Sequence, residues 1–170
     1  MKALPQLGFV EAVKLASSRI LDFKGRSRRS EFWWWMLIVM IANWVLTSFT
    51  SNLLISGIIA TIVMFFGLSV TVRRLHDADK SVWWVYISYA LGIISSIMVA
   101  TSPAMNKLME EAMSGSLDEK SLFNSSGDLL AYSGISVLFA IVSLVVVIMC
   151  LKDSDPETTE HGDSPKYIYE

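Results

Sequence analysis

The sequence predicts an all-α, polytopic membrane fold: four transmembrane helices, an N-terminal amphipathic helix lying along the interface, and both termini in the cytoplasm. Three observations predict it. Phe32 to Val72 is a run of 41 positions without a charge, preceded by Lys24, Arg26, Arg28 and Arg29 and followed by Arg73 and Arg74. About 20 helical residues cross a hydrocarbon core of about 30 Å, so this run is two spans folded back on each other. Hydrophobic residues make up 53% of the chain and charged residues 18%, below the roughly 25% charge of soluble domains. Lysine and arginine are also segregated along the chain rather than mixed.

Residues 1–31 form the basic cytoplasmic approach to the membrane. Within them, Leu7 to Phe23 carries Phe9, Val13, Ala16 and Ile20 at helical spacing, with Glu11, Lys14, Ser18 and Asp22 on another face. Such a helix is too polar to cross a bilayer and suits its surface. The chain opens on mixed residues rather than a cleavable signal pattern, so the first span is expected to stay as an uncleaved anchor. The membrane domain, 32–151, holds spans at about 33–51, 53–72, 82–100 and 129–151, the first two joined by a turn at Thr50-Ser51-Asn52. In the outer connection, 101–128, Met105, Leu108, Met109, Ala112 and Met113 fall at helical spacing. They predict a short amphipathic helix ended by Gly115, with Gly127 loosening the loop behind it. The tail, 152–170, is acidic and carries Pro156 and Pro165. It is expected to be cytoplasmic and poorly ordered, with His161 solvent-exposed and unpartnered.

Orientation follows from the cations. Seven lysines and arginines precede span one, three lie between spans two and three (Arg73, Arg74, Lys80), and two lie in the tail (Lys152, Lys166). The opposite side holds only Lys107 and Lys120, a positive-inside asymmetry that places both termini in the cytoplasm. Trp33, Trp34, Trp35, Trp83 and Trp84 sit at the cytoplasmic ends of spans one and three, the depth that indole rings favour. In span three, Ser88, Gly92, Ser96 and Ala100 form a small-residue stripe. Such a stripe serves close helix packing within the bundle or, alternatively, a dimer face.

Two segments carry what chemistry there is. In Phe23-Lys24-Gly25-Arg26-Ser27-Arg28-Arg29-Ser30-Glu31, four cations at a membrane boundary either set topology or bind anionic headgroups, each worth about 1 kcal/mol near the surface. Gly25 permits a break before span one, and Glu31 pairs with an arginine or occupies the first helical turn. In Arg73-Arg74-Leu75-His76-Asp77-Ala78-Asp79-Lys80, two guanidiniums, an imidazole and two carboxylates crowd together. Arg73 and Arg74 are expected to meet those carboxylates or lipid phosphate, and Asp77 or Asp79 to cap span three. The cluster His76, Asp77 and Asp79 is the alternative functional site, as a proton acceptor or pH sensor.

Several function classes are disfavoured. The phosphate-cradling, zinc-protease, nucleophile-elbow and C-x-x-C patterns do not occur. Cys150 is the single cysteine, so neither a disulfide within the chain nor a cysteine cluster is available. The spans hold no ionisable side chain beyond Cys150 and tyrosines such as Tyr86 and Tyr89, which argues against an ion-coupled transporter. The expectation is a non-enzymatic protein without catalytic residues, cofactor, metal or nucleic-acid partner. Its basic face, Lys24, Arg26, Arg28, Arg29, Arg73 and Arg74, would contact anionic membrane lipid or a partner protein, with a homo-oligomer as a further option. The alternative is a membrane enzyme or small transporter centred on Arg73-Arg74-Leu75-His76-Asp77.

These two segments resemble the paired signatures of a bacterial inner-membrane family, the domain of unknown function 805. That family has an F-x-G-R-x-x-R-x-E-[YF]-W approach to its first helix and an R-R-L-H-D-x-G-x-S-G-W-W connection before its third. The resemblance implies a small four-span protein of the bacterial cytoplasmic membrane and implies no activity. This chain has Asp79 and Val82 where the pattern has glycines, so a less tightly turned loop is expected. Its tail keeps Pro156, Gly162 and Pro165 without the asparagine and tyrosine usual between them.

Overall fold

The computed structural model describes residues 2–116 and 118–168. Helices dominate: α1 (Phe9–Ser18), α2 (Arg29–Ser48), α3 (Leu53–Asp77), α4 (Trp83–Thr101), α5 (Pro103–Ser114), α6 (Glu119–Asn124) and α7 (Ser126–Leu151). Three of them, α3, α4 and α7, have the length and apolar composition of a membrane span. At 20 residues α2 is about as long as α4, but it holds four tryptophans, Asn43 and a charged first turn, which lower its mean hydropathy. Helix α1 is shorter than the periodicity suggests. Arg19 leaves helical geometry at φ −123°, ψ 28°, and its carbonyl accepts the Asp22 amide at 3.1 Å, so the chain turns away before Phe23.

The turn between α2 and α3 falls where expected, and Asn52 caps α3 by accepting the amide of Ile55 at 3.1 Å. The larger difference lies at the other end of α3. The helix runs on through Arg73, Arg74, His76 and Asp77, so these residues stand on its last turns rather than in a connecting loop. Asp79 then adopts φ +50°, the left-handed conformation that aspartate tolerates better than most side chains. The tight turn is therefore kept although the glycine is not. Helix α4 begins after Val82 without a side-chain cap; neither Asp77 nor Asp79 serves it.

The small stripe of α4 packs inside the bundle. Ser88 meets the Ser143 hydroxyl of α7 at 2.8 Å, and a Cβ on Gly92 would lie 3.2 Å from the Phe139 ring. On the other flank Gly57 of α3 faces Ser96 and Ala100. Trp35 is also interior: it is buried and donates its indole N–H to the Phe66 carbonyl at 2.7 Å. Trp33, Trp34, Trp83 and Trp84 remain exposed on the rim.

Outside the spans, α5 starts with Ser102 accepting the Met105 amide and ends at Gly115, φ +72°, where the sequence places it. Gly127 instead lies within the first turn of α7. The tail is packed rather than loose. Strand β2 (Tyr167–Ile168) pairs antiparallel with β1 (Lys2–Ala3), bringing the two ends of the chain together at one end of the bundle.

Candidate functional site

Where α3 ends, the two sequence segments and the tail converge on a buried charge network. Ser27, Glu31, Arg73, Arg74 and Asp77 are each at most 1% exposed, and Arg26 is 5% exposed. Glu31 reaches it from the first turn of α2, and Arg26 arrives through the break at Gly25.

Each guanidinium is held on several edges. Arg73 reaches Glu31 at 3.1 Å, the Ser27 hydroxyl at 2.9 Å, the Arg19 carbonyl at 2.7 Å and the Asp22 carbonyl. Arg74 donates to Asp77, to the Cys150 carbonyl at 3.1 Å and to the Lys152 carbonyl. Arg26 reaches Asp77 at 3.0 Å, the Glu157 carbonyl at 2.7 Å and the Asp155 carbonyl. The Ser154 hydroxyl and the Asp155 amide close the other side, on the Asp77 carboxylate and carbonyl. Three cations thus face two carboxylates. The excess positive charge rests on carbonyls at the C-terminal ends of α1 and α7, which carry the negative pole of a helix. A planar five-donor fork suits arginine to such a site, whereas a lysine offers one point charge.

This geometry separates the sequence-based site residues by burial. Arg26, Arg73 and Arg74 are buried with little surface left for a headgroup, and their internal partners offset a desolvation cost of several kcal/mol per ion. Lys24 and Arg29 are exposed and Arg28 is half-buried. Arg73, Arg74 and Asp77 of the alternative cluster are buried. His76 alone of that run reaches a cleft. Its Nδ1 lies 3.2 Å from the Gly25 carbonyl, and its ring stacks on His161 at 3.6 Å and 10°. His161 therefore has a partner, one that no spacing rule signals across 85 positions of sequence. That cleft, about 380 Å³, also takes in Asp79, Lys80, Trp83 and Glu160. No group of three or more potential metal ligands occurs among the described residues.

A second cleft of about 330 Å³ opens at the start of α2, between the N-terminal segment and the tail. Arg28, Arg29, Lys166, Trp33, Trp34 and Asp153 line it. Lys166 bonds both Asp153 oxygens, at 2.7 and 2.5 Å. The bond from Lys166 holds the Asp153 carboxyl below the usual carboxylate range, and the same bond raises Lys166.

Apolar helices of spanning length, packed through small residues and closed at one end by a cation-rich cap, define a multi-pass helical membrane protein. The chain belongs to the family described as Protein of unknown function (DUF805), whose profile matches residues 20–163. It is similar to the inner membrane protein YhaH of Escherichia coli strain K12, 32% identical over 76 residues, which is 39% of this chain and 63% of the relative. The YhaH protein of Escherichia coli O157:H7 matches to the same extent. The chain thus spans less than two thirds of the length of these curated relatives. No solved structure matches significantly. The protein is an inner-membrane protein.

Proposed function

We propose that this is a non-enzymatic four-span protein with both termini in the cytoplasm, whose basic cytoplasmic cap contacts anionic lipid. The pairing of β1 with β2 is the observation that supports the span count. Two chain ends joined in one small sheet lie on one side of the membrane, which requires an even number of crossings. With α3, α4 and α7 as spans, α2 must be the fourth, and its 20 residues cover about 30 Å. The cation asymmetry then favours the cytoplasm for that end.

The lipid reading rests on what burial leaves at the surface. Lys24 and Arg29 stay exposed, beside the exposed rim of Trp33, Trp34, Trp83 and Trp84. Each such cation contributes about 1 kcal/mol toward an anionic surface, an attraction that salt screens. The test is reconstitution in phosphatidylethanolamine bilayers with increasing phosphatidylglycerol, with spin-labelled lipids reporting which species sit against the protein. Enrichment of the anionic lipid that falls with added salt is expected. Equal occupancy by both lipids would end the proposal.

A further inference from the structure

We infer that the cleft between α2, the N-terminal segment and the tail is a discrete site for the phosphate headgroup of one anionic phospholipid. The inference rests on the lipid-contacting reading above and deepens it from a diffuse face to a defined pocket. Its volume, about 330 Å³, lies within the range of small-ligand pockets, roughly 300–1,000 Å³.

Its donors are the unusual feature. Elsewhere in the cap the guanidiniums are consumed by internal acceptors. In this cleft, Arg29 is exposed and makes no hydrogen bond or ion pair among the described residues. Arg28 spends Nε on the Pro165 carbonyl and Nη1 on the Pro5 carbonyl at 2.9 Å, which fixes the plane of its guanidinium and leaves Nη2 for a ligand. Trp33 and Trp34, each 38% exposed, have no acceptor for their indole N–H groups among the described residues. Lys166 adds a third cation, shared with Asp153, so the lining carries three positive charges against one carboxylate. The non-bridging oxygens of a phosphate, which share its negative charge and accept several hydrogen bonds, satisfy such a set, since arginine recognises phosphate in a planar, two-point fashion.

The source of the phosphate follows from position. Indole rings seat at the headgroup boundary, and Trp33 and Trp34 form one wall of this cleft at the start of α2. A lipid phosphate arrives there at the depth where the donors are, with its acyl chains continuing along the apolar helices.

The decisive measurement is native mass spectrometry of the full chain released from bilayers of phosphatidylethanolamine and phosphatidylglycerol, titrated in the latter. One retained phosphatidylglycerol per chain, saturating with lipid fraction, is expected. Arg29→Gln weakens retention about five-fold, the loss of one surface charge. Asp153→Asn, which frees Lys166, strengthens it by a similar factor, and Lys14→Gln, at an exposed lysine outside the cleft, leaves it unchanged. If Lys14→Gln and Arg29→Gln weaken retention equally, the pocket assignment fails while the diffuse lipid reading stands. If phosphatidylglycerol shows no preference over phosphatidylethanolamine in the unaltered chain, both fail. Displacement of the lipid by soluble glycerol phosphate at a matching concentration overturns the lipid assignment in favour of a free phosphate.

Discussion

Arg26 donates from Nε to the Asp77 carboxylate at 3.0 Å, across 51 positions of sequence, and this pair fastens the segment before α2 to the end of α3. Asp77 is shared: Arg74 and the Ser154 hydroxyl use its other oxygen. Asp77→Ala therefore takes the carboxylate from two buried guanidiniums and a hydroxyl, leaving Arg26 and Arg74 only backbone carbonyls. Removing one partner of a buried ion pair costs about 3–5 kcal/mol. Denaturant unfolding in mild detergent should show a loss of that size, and an unmoved midpoint would deny the pair a structural role.

Arg73 makes a separate prediction. Its guanidinium spans Ser27, Glu31 and the Arg19 carbonyl together. Arg73→Lys keeps the charge yet reaches only part of that set, so a destabilisation of about 2–3 kcal/mol is expected. In a double-mutant cycle with Glu31→Gln the two losses should be non-additive by about 0.5–3 kcal/mol. Strict additivity would place their energies elsewhere than in the 3.1 Å contact.

Residue patterns carried the apolar helices α3, α4 and α7 well, because an uncharged run of sufficient length has few alternatives to crossing a bilayer. The turn at Thr50-Ser51-Asn52 and the α5 stop at Gly115 were legible for local reasons, a polar interruption and a left-handed cap. The charge network was half legible. Both segments stood out, but cations beside a membrane look alike whether they face lipid or one another. What separates Arg29 from Arg74 is the tail, which supplies carbonyls from Lys152 to Gly162. Backbone acceptors have no sequence signature, and so neither the ordered tail nor the contact of His76 with His161 could be read in advance.

The tail's attachment should depend on pH at both extremes. Asp153 is held below its usual range by Lys166, so its contribution is complete above about pH 4 and is lost as acid titrates the carboxylate through its depressed value. Lys166 is raised by the same contact, so its contribution is complete below about pH 10 and is lost as alkali titrates it. The pair is partly exposed, at 30% and 50%, so the effect is local and small. Hydrogen exchange at the Leu4 amide, which donates to the Lys166 carbonyl at 2.8 Å, should show steady protection across the neutral range and a decline at each end. Asp153→Asn should flatten the acid decline. An undiminished decline in that variant would assign it to other groups.

Topology admits the most direct check. Cys150 is fully buried, so single cysteines placed elsewhere can be labelled without interference from it. Lys24 is exposed at the capped end of the bundle, and Lys107 is exposed on α5 with 66% of its side chain free. In intact spheroplasts an impermeant thiol reagent should modify Lys107→Cys at once and Lys24→Cys only after permeabilisation. Lys166→Gln would weaken the tail's docking, yet it should leave that pattern unchanged, since sidedness is fixed by the cations flanking the spans rather than by the tail. Should Lys24→Cys and Lys107→Cys react from the same side, the number of crossings between them is even. Spans α2, α3 and α4 all lie between these positions, so one of the three would have to be withdrawn from the membrane. The pairing of β1 with β2 would then require a second of the four long helices to be withdrawn too.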